Sequence, residues 1–303
     1  MNNKGNTLTG FRCGYVTLLG RPNVGKSTLL NKLVGQKISI TSRKPQTTQR
    51  RLLGIKTGSD HQLIYVDTPG IQDKYNDELN LYMKKEISIA LLELNVLVFI
   101  VEALKWSEAD EEILASISKL SVPVVVFINK VDKIKDRERL LPFIETLSRR
   151  REFADIIPVS AIKDINLGKA EKVLISLLPE AKPEFEEDQL TDRSERFIVA
   201  EFIREKLIKR LGKELPYRVT VTIEKFNEQE NGVEIDAIIW VESSSQKSIV
   251  IGKDGAVLKT IGEQARKEMQ GLLASPVYLR TWVKIKKNWS DDLSSLKQLG
   301  FDN

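Results

Sequence analysis

Two kinds of hydrophobic patterning divide the chain. Up to about Leu178, compact apolar runs alternate with segments of helical period. Tyr15–Leu19, Leu63–Val66, Val96–Val101, Val124–Ile128 and Ile156–Val159 have the length of buried strands, and Leu29, Leu30 and Leu33 share one face of a helix. That alternation predicts β-α units on a mostly parallel sheet. Pro179 and Pro183 then punctuate an acidic stretch, Glu184-Phe185-Glu186-Glu187-Asp188, expected as a linker over 181–193. Beyond it the pattern changes. Phe197, Ala200, Ile203, Leu207 and Leu211 mark a helix face. Val219, Val221 and Ile223 alternate in one strand, and Val233, Ile235, Ala237, Ile239 and Val241 in a second. Val257, Leu258, Ile261, Ala265, Met269 and Leu272 return to helical period. A third strand sets Val277, Leu279, Val283 and Ile285 on one face, opposite Tyr278, Arg280, Trp282, Lys284 and Lys286.

Composition narrows the classes. At 303 residues, 41% hydrophobic and 29% charged, the chain suits two globular domains. No apolar run reaches transmembrane length, and the polar start at Met1–Asn6 lacks a signal-peptide core. Cys13 is the single cysteine and His61 the single histidine. That rules out internal disulfides and catalysis by several histidines, and argues against a cysteine-based metal cluster. A cytoplasmic location is expected. The net charge of +5 mildly favours an anionic partner.

The first half carries the stronger chemistry. Gly20-Arg21-Pro22-Asn23-Val24-Gly25-Lys26-Ser27, followed by Thr28, fits G-x-x-x-x-G-K-[ST] between a strand and a helix. In such a loop the backbone N–H groups around Asn23, Val24 and Gly25 face phosphates, Lys26 reaches the β/γ-phosphates, and the Ser27 hydroxyl binds Mg²⁺. Asp67-Thr68-Pro69-Gly70 follows the strand Leu63–Val66. Asp67 there can hold Mg²⁺ through water, and the Gly70 N–H can sense a γ-phosphate. Asn129-Lys130-Val131-Asp132 follows another strand. One carboxylate accepts both donors on the guanine edge, so Asp132 selects guanine over adenine. Ser160-Ala161 would complete that base pocket through its backbone.

The order and spacing of these elements resemble the translation-factor-related class of P-loop GTPases. The resemblance implies GTP/GDP as ligand and places switch I at 37–48, where a threonine completes Mg²⁺ coordination. Thr48 is expected in that role, with Thr47 as the adjacent alternative. Lys26, Thr48 and Gly70 would be the catalytic set, and Ser27, Thr48 and Asp67 the metal set. Many signalling GTPases place a water-orienting glutamine after D-x-x-G. Here the residue is Ile71, which predicts slow intrinsic hydrolysis. Asn23 either helps bind K⁺ beside the phosphates, as in related GTPases with an apolar residue at that place, or only shapes the loop.

Gly252-Lys253-Asp254-Gly255, preceded by Ile251, resembles the G-x-x-G loop of KH domains, which clamps about four nucleotides of a single strand. The element order around it is that of a type II KH fold, and Arg280 and Lys284 add basic charge for RNA. The chain as a whole, from about Phe11 to Trp289, resembles the bacterial Era family. That resemblance implies an α/β P-loop GTPase domain over 11–180 with a mixed, mostly parallel sheet. It places an α+β type II KH domain at 194–289 and a C-terminal tail at 290–303. It further implies binding to the 3′ end of 16S ribosomal RNA, assistance in maturing the 30S subunit and, in some members, peripheral attachment to the inner membrane. The alternative is a constitutive RNA-binding protein in which GTP is structural.

Overall fold

The computed structural model describes residues 10–42, 44, 47–69, 77–211 and 218–301. Two compact units emerge. The first comprises 1–38, 51–68 and 86–192, and the second comprises 39–50, 69–85 and 193–303.

In the first unit six strands form one sheet: β1 (Arg12–Leu19), β2 (Leu52–Thr57), β3 (His61–Asp67), β4 (Val96–Glu102), β5 (Val124–Asn129) and β6 (Asp155–Pro158). Their order is β2-β3-β1-β4-β5-β6. Only the β2–β3 pair is antiparallel. All residues of β4 and β5 are buried. This explains their unbroken apolar runs, since central parallel strands are covered on both faces. The covering elements include α1 (Lys26–Val34), α3 (Glu108–Ile117), α4 (Leu140–Ser148) and α5 (Leu167–Leu177). A further helix, α2 (Glu78–Leu92), is divided between the two units. The carboxyl ends of β1, β3, β4 and β5 run directly into the loop at Gly20, Asp67, Glu102 and Asn129, where ligands collect in open α/β sheets.

The acidic stretch expected as a linker is a strap fastened to this unit. Gln62 is fully buried on β3. Its Oε1 accepts from the Glu184 and Phe185 N–H groups at 2.8 and 3.0 Å, and its Nε2 donates to the Phe185 carbonyl at 2.8 Å. Tyr15 donates to Glu184 at 2.7 Å. Along β2, the Ile55 N–H bonds the Leu190 carbonyl at 2.8 Å and the Leu53 N–H bonds Asp192 at 2.9 Å.

The second unit has the order α6 (Glu195–Arg210), β7 (Thr220–Gln229), β8 (Gly232–Val241), α7 (Ser244–Ile251), α8 (Ala256–Leu273), β9 (Val277–Ile285) and α9 (Leu293–Gln298). Its sheet runs β7-β8-β9, with β8 antiparallel to β7 and parallel to β9. The segment expected as a C-terminal tail packs into this unit. Trp289, Leu296, Leu299 and Phe301 form one buried cluster with Leu79 and Met83. From the tail itself, the buried Phe301 ring and two leucines offset the ordering entropy that would leave a polar tail loose.

The described residues of 39–50 also belong here, and Thr41 and Thr47 are held by charged residues of α6. The Glu205 carboxylate, fully buried, accepts from the Thr41 N–H and hydroxyl at 2.8 and 3.2 Å and pairs with Lys206 at 2.7 Å. Arg204 donates to the Thr47 carbonyl at 2.5 Å. Arg50 donates to the Leu299 carbonyl at 2.8 Å with its guanidinium 3.9 Å over the Phe301 ring. Burial lowers the Arg50 pKa to about 10.

Candidate functional site

The phosphate-binding loop turns from β1 into α1 through two left-handed residues, Asn23 (φ 66°) and Gly25 (φ 108°). Gly25 is required by proximity as well as by φ. A Cβ there would lie 2.4 Å from the Asn129 Nδ2. That close approach lets Asn129 donate to the Val24 carbonyl at 2.8 Å and accept from the Lys130 and Ala161 N–H groups at 2.8 and 3.3 Å. One amide thus joins the phosphate loop, the guanine motif and the Ser160-Ala161 loop. Ser160 donates to Asp132 at 2.5 Å, which fixes the carboxylate expected to read the base.

Lys26 is buried, and its ammonium donates to the Gly20 carbonyl at 2.9 Å. Burial pushes its pKa down, partly offset by the Asp67 carboxylate. Ser27 donates to Asp67 at 2.8 Å. A hydroxyl and a carboxylate side by side are the oxygen donors a hard cation takes, so the residues present fit Mg²⁺. The structure therefore brings together Asn23, Val24, Gly25, Lys26, Ser27, Thr28, Asp67, Asn129, Lys130, Asp132, Ser160 and Ala161. Gly70 and Ile71 lie outside the described residues. Thr48 belongs to the second unit, as does Thr47, whose hydroxyl shares a 2.8 Å hydrogen bond with Ser42.

Three residues in this region were not anticipated from the sequence. Glu102, at the end of β4, accepts from Lys130 at 2.7 Å and Lys105 at 2.5 Å. Arg21 reaches Asp110 at 3.1 Å, and the same Asp110 carboxylate takes the Ser107 N–H and hydroxyl at the start of α3. The available signal was positional: a carboxylate ending a fully apolar strand sits where such sheets bind ligands.

In the second unit the Gly252-Lys253-Asp254-Gly255 turn joins α7 to α8. Gly252, Asp254 and Gly255 all have positive φ (73°, 51° and 74°), and Lys253 is exposed. Beside the turn, α8 and β9 form an open cavity of about 360 Å³ lined by Gly255, Leu258, Lys259, Gly262, Glu263, Arg266, Leu279 and Thr281. Lys259, Gly262, Glu263 and Arg266 are spaced as one helix face, a pattern the sequence itself displays. Arg280 and Lys284 are not part of this cavity. Alternation along β9 turns them to the opposite face of the sheet.

Comparison with known proteins fits both halves. A family model described as a 50S ribosome-binding GTPase matches residues 15–130, and a KH-domain model matches 214–290. GTPase Era of Marinobacter nauticus is 50% identical over 292 residues, covering 96% of both chains. The chain belongs to the Era family of GTPases. GTPase Era of Pseudomonas aeruginosa is 47% identical with the same coverage. Two solved Era structures, each 38% identical and each covering 97% of this chain and all of theirs, superpose with TM-scores of 0.92 and 0.93. The first holds MgGDPNP and nucleotides 1506–1542 of 16S ribosomal RNA. The second is an Aquifex aeolicus Era variant bound to GDP·AlF₄⁻. As an Era-family member, the chain carries an α/β P-loop GTPase fold followed by a KH domain.

Proposed function

We propose that this Era-family chain is a cytoplasmic, GTP-hydrolysing switch that binds the 3′ end of 16S ribosomal RNA and assists maturation of the small ribosomal subunit. Its GTPase domain spans 11–180 and its KH domain 194–289. Lys26 and the loop N–H groups of Asn23–Thr28 hold the phosphates, while Asp132, oriented by Ser160, reads guanine. Ser27, Thr48 and Asp67 would hold Mg²⁺, which would supply charge neutralisation at the transferring phosphoryl group. The Gly70 N–H senses the γ-phosphate, and Asn23 either supports K⁺ or only shapes the loop. The turn Ile251–Gly255 and the adjoining cavity clamp the RNA backbone. Peripheral attachment to the inner membrane rests on family resemblance alone. Among the described residues, no helix is long and apolar enough to cross a membrane.

One observation carries the switching reading over a constitutive binder. Part of the stretch expected as switch I, 37–48, is hydrogen-bonded to α6 of the RNA-binding unit through Thr41–Glu205 and Thr47–Arg204. A nucleotide state that recruits Thr48 must compete with those bonds, so nucleotide and RNA affinity are linked reciprocally. The test titrates a single-stranded RNA ending in the 16S 3′ sequence against the chain loaded with GDP or a non-hydrolysable GTP analogue. Tighter binding with the analogue is expected, and Lys253→Asp should weaken RNA binding and flatten its salt dependence without changing nucleotide affinity. Equal RNA affinity in both nucleotide states returns the constitutive reading.

A further inference from the structure

Strand β9 has two working faces. Its odd-numbered side chains Leu279 and Thr281 line the cavity against α8. The even-numbered Tyr278, Arg280 and Trp282 stand on the other side of the sheet. Tyr278 is 58% exposed and Trp282 46%, which is uncommon for rings of this size on a folded domain. Between them, Arg280 is held rigid. Its Nε and Nη2 bond the two oxygens of Asp236, directly opposite in register, at 2.7 and 3.1 Å. A guanidinium clamped in this bidentate way presents a fixed flat face. Three planar groups therefore follow one another at two-residue spacing, roughly 6.5 Å apart. Farther along the same strand, Lys284 lies 5.9 Å from the Trp240 ring and adds positive charge.

We propose that Tyr278, Arg280 and Trp282 form a second RNA-contacting surface, a stacking platform for unpaired bases of the strand whose backbone the Gly252–Gly255 turn holds. Continuity supports that occupant. β9 is the edge strand of the sheet, so RNA leaving the cavity reaches the platform by crossing a single strand edge. Chemistry supports it as well. Aromatic rings and guanidinium planes stack on any base, and single-strand binders combine such faces with a positively charged track. The platform rests on the RNA reading above and extends it from a backbone clamp to a base-contacting face.

The experiment uses the full chain loaded with a non-hydrolysable GTP analogue and two single-stranded RNA probes, followed by NMR titration. One probe has four nucleotides, enough for the clamp, and the other carries four more at each end. Tyr278→Ala should weaken the longer probe about tenfold and leave the short one unchanged. Arg280→Lys keeps the charge but loses the plane, and should weaken the longer probe likewise. Because stacking releases no counterions, the salt slope for Tyr278→Ala should match the parent's. Both variants are surface changes, and equal melting temperatures would confirm intact folding. Parental affinity for the longer probe, or equal losses on both probes, overturns the platform. Failure of the parent to bind either probe instead sinks the backbone-clamp reading beneath it.

Discussion

The Glu102 carboxylate lies 2.7 Å from the Lys130 ammonium, which also donates to the Asn23 carbonyl at 2.6 Å. β4, the guanine motif and the phosphate loop thus meet at one ion pair. Three non-glycine residues with positive φ gather around it: Asn23, Lys130 and Leu104. Strained backbone persists where its surroundings over-determine it, and Glu102 supplies that constraint. Its pKa falls to about 2, the hydrogen bonds and charges of Lys105 and Lys130 outweighing the opposing effect of burial. The lowered folded value means that Glu102 stabilises the fold above its unfolded pKa and loses this as pH falls toward 2. Glu102→Gln should cost roughly 2–3 kcal/mol at pH 7 and progressively less between pH 4.5 and 2. Denaturant unfolding at several pH values reads this directly. GDP release should also quicken, and the increase should vanish in a Lys130→Met background. Multiplying rather than overlapping effects would show that Glu102 acts by another route.

Asp132 is fixed by Ser160 at 2.5 Å, so its two oxygens are poised for paired donors. Asp132→Asn replaces one acceptor by a donor. Each mismatched buried group costs about 1–3 kcal/mol, and GTP affinity should drop at least tenfold. Xanthosine triphosphate, which offers an oxygen at that place, should bind better than to the parent. Competition against a fluorescent guanine nucleotide measures both, and unchanged GTP affinity would remove Asp132 from the base pocket.

Asn23 is exposed and left-handed at the mouth of the phosphate loop. If it supports K⁺, phosphate release should run several-fold faster in K⁺ than in Na⁺ at equal ionic strength. Asn23→Ala should erase the difference. Equal parental rates in the two salts would leave Asn23 as a loop-shaping residue.

The two glycines of the Gly252–Gly255 turn should respond differently to alanine. At Gly252 a Cβ would lie 2.3 Å from Val257 Cγ2, whereas at Gly255 it meets nothing within 4 Å. Both have positive φ. Gly255→Ala should cost only the left-handed penalty of about 1–2 kcal/mol and chiefly lower RNA affinity, because its methyl enters the cavity wall. Gly252→Ala adds a clash and should lower the melting temperature more. Thermal unfolding beside RNA titration separates them.

The phosphate loop, Asp67, the guanine motif and Ser160-Ala161 were legible because each sits at the end of a strand whose apolar run announces it. The Gly252–Gly255 turn was legible from its flanking helices. What the sequence concealed is long-range. Arg204, Glu205 and Lys206 are buried in α6, yet three consecutive charges in a helix read as a solvated face. Arg204 and Glu205 find partners at Thr47 and Thr41, and Lys206 at Glu268, with no local signal of the pairing. The two-residue period of β9 already sets Arg280 and Lys284 opposite Leu279; what it did not reveal is that the cavity beside the turn forms on the Leu279 face. Gln62 looks like any polar residue in a strand, and only the returning chain explains why it is buried.

That returning chain has another consequence. β2 is an outermost strand of the first unit's sheet, and an outermost strand offers a row of backbone donors to any other extended chain. Here the outward N–H groups of Arg51, Leu53 and Ile55 are taken by Glu86, Asp192 and Leu190. The strap and Glu86 therefore close this edge of the sheet to foreign strands. Loosening it at Gln62 would expose a template for self-association, so colloidal stability, more than nucleotide turnover, would suffer first.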